Sequence, residues 1–206
     1  MPSKIIWIDT ETTGTFAVLH SIVQIAGIID IDGITREVFE LKCQPHPDSE
    51  IDEKALRVNG FSMDDLKSFP TAREAHFELL KIFEKYIDKF NKADKFSIAG
   101  KNVQFDLGFL SQFFTRLNDN YLGSWIDFRR RIEIEDTINA VKSLGYIQSD
   151  SLTLQAICKE FKIPISAHDA LSDITATREL YYFILNNLRW EGRPYVHAKK
   201  RKTLSS

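Results

Sequence analysis

Four consecutive apolar residues near the N-terminus, Ile5-Ile-Trp-Ile8, constrain the fold more than any other feature of the chain. A run this short and this rich in β-branched side chains predicts a strand that is buried on both faces. Such a strand needs other elements packed against each side, which favours a sheet covered by helices. A length of 206 residues is enough for one domain with a substantial core.

The segments that follow predict an antiparallel hairpin. Strands are expected at 21–32 and 34–44, because both segments are rich in isoleucine and valine or alternate in polarity. They flank Asp32-Gly33, a dipeptide that is typical of tight hairpin turns.

Beyond the hairpin, the pattern alternates between helices and strands. Ser62 to Asp65 and Thr71 to Glu74 have the spacing of a capping box, and the second is expected to open an amphipathic helix that runs to Phe90. Further strands are expected at 96–100 and 132–134, and further helices at 105–117, 137–144, 153–161 and 170–188. This order predicts an α/β fold with a sheet of mixed direction.

The charge of the chain is nearly balanced, with a formal net charge of −2 at pH 7. Any binding to nucleic acid would therefore depend on local basic patches or on bound cations. Residues 1–188 are expected to form one domain, followed by a basic tail at 189–206. The tail, which contains Lys199-Lys-Arg-Lys202, is expected either to be a flexible end or to contact phosphates. Arg129 to Arg131 would help to guide a nucleic-acid strand or would simply coat the surface.

The cysteines and the hydropathy indicate a cytoplasmic protein. Cys43 and Cys158 are far apart and lack ligand-like spacing, so we expect reduced thiols and no structural zinc. Apolar runs never reach about eighteen residues, so no membrane span is expected.

Two acids, Asp9 and Glu11, stand at the end of the first predicted strand. Side chains alternate along a strand, so these two are expected on one face and Thr10 on the other. The carboxyl end of a central strand is where open α/β sheets usually bind ligands. The alternative is that both acids are solvated turn residues without a function.

Two further acids lie on helical stripes that are otherwise apolar. Asp106 falls among Phe105, Phe109 and Leu110, where a charge is costly unless it is compensated. The alternative for Asp106 is an acid that is stabilised by the dipole of a helix N-terminus. Asp173 repeats the pattern, whereas Asp169 is better explained as a helix cap.

These four acids would repel one another if they converged, and divalent cations would relieve that repulsion. Hard oxygen ligands favour Mg²⁺ or Mn²⁺, two of which would fit four carboxylates. His168 precedes the last predicted helix and would reach over a site that Asp173 faces. A lone histidine is more often structural, and His168 is distinguished only by its neighbours.

Three strings in the chain form an ordered set of motifs. They are Ile8-Asp-Thr-Glu-Thr-Thr-Gly14, Asn102-Val-Gln-Phe-Asp-Leu-Gly-Phe-Leu110 and His168-Asp-Ala-Leu-Ser-Asp173. Together they resemble the three motifs of the DnaQ-like DEDDh family of 3′–5′ exonucleases, which includes the proofreading subunit of bacterial replicative DNA polymerase. Three motifs in the right order over most of the chain make this resemblance specific.

The resemblance implies a ribonuclease-H-like fold, with a five-stranded mixed sheet, one antiparallel strand and flanking helices. It also implies release of nucleoside monophosphates from the 3′ end of a strand by two-metal hydrolysis, with His168 as the general base. The implied ligands of the two cations, Mg²⁺ or Mn²⁺, are Asp9, Glu11, Asp106 and Asp173.

The motifs also suggest residues that contact the substrate. Backbone amides of Thr12, Thr13 and Gly14 would meet the terminal nucleotide, and Asn102 is a further candidate. Phe16 would stack between bases or, equally, anchor its loop in the core. At Asn59 and at Lys101 the proofreading subunit commonly has histidine, and Asp136 is interpreted as a capping or supporting residue.

The expected substrate is a single-stranded or frayed 3′ end of DNA, and a polymerase is considered as a partner. Three alternatives stay open. The first is the same chemistry on RNA, which would depend on recognition of the 2′-OH. The second is a polymerase- or nucleic-acid-docking module with a vestigial site, and the third is a metal phosphoesterase that acts on small nucleotides.

Overall fold

The computed structural model describes residues 3–166 and 169–187, which form a five-stranded sheet covered by helices on both faces. The strand order is β3-β2-β1-β4-β5. β2 runs antiparallel to β1 and β3, whereas β4 and β5 run parallel to β1. The strands are β1 Lys4–Thr12, β2 Ile22–Ile31, β3 Ile34–Lys42, β4 Phe96–Gly100 and β5 Ile126–Glu133.

Eight helices connect and flank these strands within the described residues. Their bounds are α1 Glu53–Asn59, α2 Met63–Ser68, α3 Ala72–Glu84, α4 Val103–Arg116, α5 Leu122–Trp125, α6 Ile134–Ser143, α7 Leu154–Phe161 and α8 Ala170–Asn187. The predicted α/β class and the five-stranded mixed sheet with one antiparallel strand are confirmed.

Alternation of side chains along β1 divides the core into two layers. Ile6 and Ile8 pack in the cluster that includes α3 and α4. Trp7 packs on the opposite face, against Ala170 and Ile174 of α8. β1 is therefore covered on both sides, as its continuous apolar run predicts.

Several local predictions are confirmed by backbone geometry. Asp32 and Gly33 both have positive φ, at 53° and 78°, which is the conformation of a type I′ hairpin turn. The capping boxes at Ser62 and Thr71 are both formed, and they begin α2 and α3.

Two predicted boundaries are wrong by six residues. α3 ends at Glu84 rather than at Phe90, and the residues that follow, Tyr86 and Ile87, make contacts with the rest of the fold. The Tyr86 hydroxyl donates to Glu37 of β3 over 2.9 Å, and Ile87 is buried in the core. β5 begins at Ile126 rather than at residue 132.

The start of β5 escapes a search for apolar runs because the strand is interrupted by a bulge. Ser97 pairs with Asp127, but the next residue of β4, Ile98, pairs with Arg131. Asp127 accepts hydrogen bonds from the side chains of Arg129 and Arg130 and holds the extra residues in place. α5 was likewise not predicted, since it has only four residues.

Some expectations fall outside the described residues, namely His168, the basic tail and the domain boundary after residue 188. None of the helices described in the structure has the length and apolar character needed to span a membrane.

Candidate active site

The candidate site lies where β1 extends beyond its neighbour β4. The ladder between these strands ends at the pair Trp7 and Ala99, whereas β1 continues to Thr12. Asp9 and Glu11 lie on this extension, within the strand rather than in a turn. By alternation they share the face of Trp7, which is the face covered by α8.

Asp106 of α4 occupies the edge of β1 that β4 leaves open. Its Oδ1 atom accepts hydrogen bonds from the backbone N–H of Thr10, at 3.0 Å, and from the Thr10 hydroxyl, at 2.8 Å. Asp106 is 3% exposed. Thr10 points away from Asp9 and Glu11, as expected, and towards the helix that carries Asp106.

The connection from β4 to α4 sets the position of Asp106. A Cβ atom at Gly100 would lie 2.8 Å from the carbonyl oxygen of Ile8, so this close approach to β1 requires glycine. Asn102 then adopts a left-handed conformation with φ of 57°. The carboxylate of Glu133, at the end of β5, accepts the backbone N–H groups of Asn102 and Val103 at 2.9 and 2.8 Å.

Asp173 enters the site from the first turn of α8. Asp169 accepts the N–H of Ser172 over 2.7 Å, which confirms the prediction that Asp169 caps this helix. Ala170 and Ile174 bury the same turn against the face of β1 that carries Asp9.

The pKa values of the acids show that they are close enough to repel one another. The pKa of Asp9 is held well above its usual range by burial and then by the charges of Asp106, Glu11 and Asp173. Burial and the charges of Asp173 and Asp169 raise the pKa of Glu11 to about 7. Four carboxylates from β1, α4 and α8 therefore form one electrostatic cluster.

The pKa of Asp106 reflects opposing effects of burial and hydrogen bonding. Burial raises its pKa to about 7, although the hydrogen bonds from Thr10 act in the opposite direction. Glu133 is a weaker contributor that also raises the pKa.

The donor chemistry of this cluster fits hard divalent cations, because every candidate ligand is a carboxylate oxygen. Within residues 3–166 and 169–187, however, no group of three or more His, Cys, Asp or Glu side chains is already arranged to hold a metal ion. Mutual repulsion favours side-chain positions that point apart, and a cation would draw the same oxygens together.

A cleft of about 410 Å³ opens beside Glu11. Its walls come from the end of β1, the following loop and α1, and they include Thr12, Gly14, Thr15, Val58, Asn59 and Phe105. Asn59 is buried, donates from Nδ2 to the carbonyl oxygen of Thr12 over 3.0 Å and lowers the pKa of Glu11. Asn59 therefore links the cleft to the acids.

The predicted substrate residues occupy different positions around this cleft. Thr12 and Gly14 line it. Thr13 lies behind it, because its N–H bonds to the carbonyl of Ser21 and its hydroxyl bonds to the carbonyl of Glu50. Asn102 lies outside the cleft, exposed at the start of α4.

The loop after Gly14 presents Phe16 to solvent, with 65% of its surface exposed. Arg116 of α4 holds the base of this loop through the carbonyls of Val18 and His20, at 2.6 and 2.8 Å. A Cβ atom at Gly14 would lie 2.3 Å from the His20 ring, so the loop packs too tightly for any larger residue there. The structure thus places Phe16 outside the core.

Sequence reasoning missed two residues of the site. Thr10 anchors Asp106, and Glu133 caps α4. Strand alternation already directed Thr10 to the helix face, but nothing local to Glu133 indicates that it reaches a helix thirty residues earlier. Lys101, which departs from the family pattern, also lies near the acids. It pairs with Glu135 over 2.7 Å and lowers the pKa of Asp9.

The fold and this carboxylate cluster define a nuclease of the ribonuclease-H-like class. A family model described as Exonuclease matches residues 6–181, and the chain belongs to this exonuclease family. The predicted membership of the DnaQ-like DEDDh exonucleases is confirmed.

Individual relatives agree with this family. DNA polymerase III subunit epsilon of Buchnera aphidicola is 30% identical over 188 residues, which is 86% of this chain and 72% of that protein. Ribonuclease T of a Shewanella species is 25% identical, covering 93% and 86% of the two chains. DNA polymerase III PolC-type of Halalkalibacterium halodurans is 27% identical over 88% of this chain. The chain spans only 11% of the length of that protein.

Solved structures show the same fold. E. coli exonuclease I in complex with a dT13 oligonucleotide has a TM-score of 0.73 and 22% identity, covering 91% of this chain and 41% of the other. The zinc-bound form of its complex with single-stranded DNA has a TM-score of 0.76 and 21% identity, with the same coverage.

Proposed function

We propose that the protein is a metal-dependent 3′–5′ exonuclease that releases nucleoside monophosphates from the 3′ end of DNA. The observation that carries this proposal is the convergence of four mutually repelling carboxylates from three elements at the extended end of β1. A cleft of about 410 Å³, with mainly apolar walls and large enough for a nucleotide, adjoins one of them.

Asp9, Glu11, Asp106 and Asp173 would hold two divalent cations, Mg²⁺ or Mn²⁺. Bound there, the cations would supply hydroxide near neutral pH and neutralise charge on the departing 3′ oxygen. Asp9 would be central to this ligand set, because the charges of the three other acids all act on it. Thr10 would keep Asp106 oriented by two hydrogen bonds to one of its oxygens.

His168 is proposed as the general base that accepts a proton from the attacking water. In the sequence it immediately precedes Asp169, which caps α8, the helix that carries Asp173. A histidine with an ordinary pKa near 6.5 suits a reaction at neutral pH.

The terminal nucleotide would enter the cleft beside Glu11. Thr12 and Gly14 line this cleft, and Thr13 would brace the wall from behind. The exposed Phe16 would stack against a base, and Asn102 would contact the strand near the start of α4.

DNA is proposed as the substrate because the PolC-type and epsilon relatives are named as parts of a DNA polymerase. The exonuclease I structures contain single-stranded DNA, which supports a single-stranded or frayed 3′ end as the bound form. A polymerase partner and a cytoplasmic location are proposed on the same basis. RNA is the second candidate substrate, favoured by the ribonuclease T relative, which matches nearly the whole chain.

The test uses 5′-labelled single strands of DNA and RNA with identical sequences. Each is incubated with the purified protein and Mg²⁺, with EDTA, and with the Asp9→Asn variant. We expect products that shorten from the 3′ end only when both the cation and Asp9 are present. The faster substrate decides between the DNA and RNA proposals.

Other outcomes would overturn the proposal. Shortening that persists in Asp9→Asn would mean that the acids are not the ligands. Cation binding without cleavage of either strand would favour a phosphoesterase for small nucleotides. A protein that binds no divalent cation would be better explained as a docking module.

A further inference from the structure

A second buried carboxylate, Asp30 of β2, lies outside the catalytic cluster. Asp30 is 0% exposed and is the one charged residue of β2. Burying a carboxylate is costly unless its oxygens are fully satisfied by donors or by an opposite charge. The surroundings of Asp30 meet that requirement.

Four side chains donate hydrogen bonds to Asp30. Arg178 of α8 donates from Nε to Oδ2 at 2.8 Å and to Oδ1 at 3.0 Å. The Tyr182 hydroxyl, also from α8, donates at 3.0 Å. The remaining two donors are the indole N–H of Trp7 on β1 and the hydroxyl of Thr35 on β3, each at 3.0 Å from an Asp30 oxygen.

Three of these four donors belong to the elements that carry the proposed catalytic acids, because Trp7 is on β1 and both Arg178 and Tyr182 are on α8. Trp7 is two residues before Asp9 on the same face of β1, roughly 7 Å along the strand. Arg178 is five residues after Asp173 on α8, which places it roughly 7.5 Å along the helix axis. Asp30 therefore joins β1 and α8 at a single point just behind the site.

We infer that the Asp30 tether positions Asp173 against Asp9 and Glu11 by fixing how α8 sits on the sheet. Arg178 lies one turn after Ile174, on the flank of α8 that packs on β1, and about 140° around the helix from Asp173. A bond on that flank resists rotation of the helix as well as sliding. Apolar contacts alone would resist rotation and sliding of α8 only weakly, because such contacts have little directionality.

The aromatic rings around the tether restrict the same motion. Tyr182 contacts the ring of Trp7 with centroids 6.0 Å apart, and the Arg178 guanidinium lies 4.8 Å from the centroid of the Tyr182 ring. Arg178 is thus held by a carboxylate on one side and an aromatic face on the other. Lysine at this position would keep the charge but lose the planar group that fits both.

The inference rests on the proposed function, since Asp173 matters here as a cation ligand. The test compares the wild type with Arg178→Met, Arg178→Lys and Tyr182→Phe. Mn²⁺ affinity is measured by calorimetric titration, and KM and kcat are measured on a labelled single strand. Hydrogen exchange of the α8 amides reports the helix position without relying on the cation.

Lys4→Met is the matched control. Lys4 forms an ion pair with Asp94 at 2.5 Å, and their side chains are 15% and 19% exposed, similar to the 19% of Arg178. This pair lies at the opposite end of β1 from the acids. Lys4→Met should therefore destabilise the protein without changing Mn²⁺ affinity.

We expect Arg178→Met to weaken Mn²⁺ binding by about 10–100-fold and to lower kcat, with KM for the strand nearly unchanged. Arg178→Lys should recover part of the affinity, and Tyr182→Phe should have a smaller effect. Faster exchange in the first turns of α8 should accompany the loss. If Arg178→Met does not fold, Arg178→Lys and Tyr182→Phe must show the same pattern in smaller measure.

Two results would overturn the inference, and they are distinguishable. Mn²⁺ affinities equal to that of the wild type in all Arg178 and Tyr182 variants would make Asp30 a purely structural residue, with the proposed function intact. A wild-type protein that neither binds Mn²⁺ nor degrades strands would reject the proposed function and the inference together.

Discussion

The contact between Thr10 and Asp106 shows how one hydroxyl can tune a buried acid. Asp106 is desolvated, which raises its pKa, and Thr10 opposes this rise with a backbone and a side-chain hydrogen bond. Both bonds favour the ionised carboxylate that a cation would require.

Thr10→Val removes the hydroxyl and keeps the backbone bond. We expect the pKa of Asp106 to rise further, cation affinity to fall by about 10-fold or more, and the pH–rate profile to shift to higher pH. The profile is measured with Mn²⁺ on a labelled strand. Thr115→Val is the control, because Thr115 bonds only to its own helix at Ser111. An unchanged profile in Thr10→Val would contradict this account.

Asp9→Asn removes the acid that is coupled to the three others. We expect kcat to fall by at least about 10³-fold, which corresponds to roughly 4 kcal/mol of lost stabilisation of the transition state. Asp169→Asn is the matched control. It keeps an oxygen that can cap α8 while removing a neighbouring charge, and it should retain activity within a few-fold. Equal losses in both variants would mean that net charge matters more than ligand identity.

At this scale the sequence singled out four candidate acids but did not indicate how each is held. Asp106 was recognisable as a charge within an apolar helical stripe, and its burial follows from that position. Asp30 was passed over although it is fully buried, because a single acid near a strand end looks like a turn residue. Only the approach of Arg178 and Tyr182, some 150 residues later, explains it.

Among the elements, α4 depends on a partner that is distant in sequence. Its N-cap residue, Asn102, makes no side-chain capping bond, and Glu133 takes over that role. The direction of α4, and with it the position of Asp106, is therefore set by β5.

Glu133→Ala should destabilise the protein by about 1–3 kcal/mol, because two N–H groups at the helix start lose their acceptor. Urea denaturation measures this loss, and hydrogen exchange at the start of α4 should increase. Glu135→Ala is the control, since Glu135 forms a surface pair with Lys101 that should contribute less than about 1 kcal/mol. A similar loss in both variants would argue against capping by Glu133.

The boundaries that the sequence misplaced share one cause. α3 has enough helical pattern to continue past Glu84, and β5 has too little apolar pattern to be recognised before residue 132. In both places contacts with distant elements decide the boundary: the Tyr86 hydroxyl bonds to Glu37 just after α3, and β5 pairs with β4. Local propensity is weak in comparison with such tertiary contacts.

For the whole molecule, the raised pKa values of the acids predict a dependence of stability on pH. Glu11 and Asp106 have pKa values of about 7 in the folded state, above their ordinary values of 4.5 and 3.8. At pH values between the ordinary pKa and the folded-state pKa of each acid, the folded state binds more protons than the unfolded state. The free energy of unfolding therefore decreases as pH rises from about 4.5 to 7.

In EDTA, we expect the melting temperature to decrease by roughly 5–10 °C between pH 5 and 7.5. Glu11→Gln should reduce this decrease. His76 acts with the opposite sign, because burial lowers its pKa, so the difference between wild type and Glu11→Gln is the informative quantity. Saturating Mn²⁺ should reverse the trend, since cations bind the ionised acids. A flat profile in EDTA would contradict the raised pKa values of Glu11 and Asp106.

The sequence by itself determined the class of fold and the family, and it selected the four acids that the proposed function uses. These follow from local patterns, because a buried strand, a hairpin turn and a charge on an apolar stripe each have a short-range signature. The tertiary structure decided how the acids meet. β1 extends beyond β4, and Asp9 and Glu11 lie on that extension. Hydrogen bonds with Thr10 and Glu133 hold α4 in position, and hydrogen bonds to Asp30 hold α8 on the sheet. These contacts join residues far apart in the chain, so their geometry depends on the packing of whole elements.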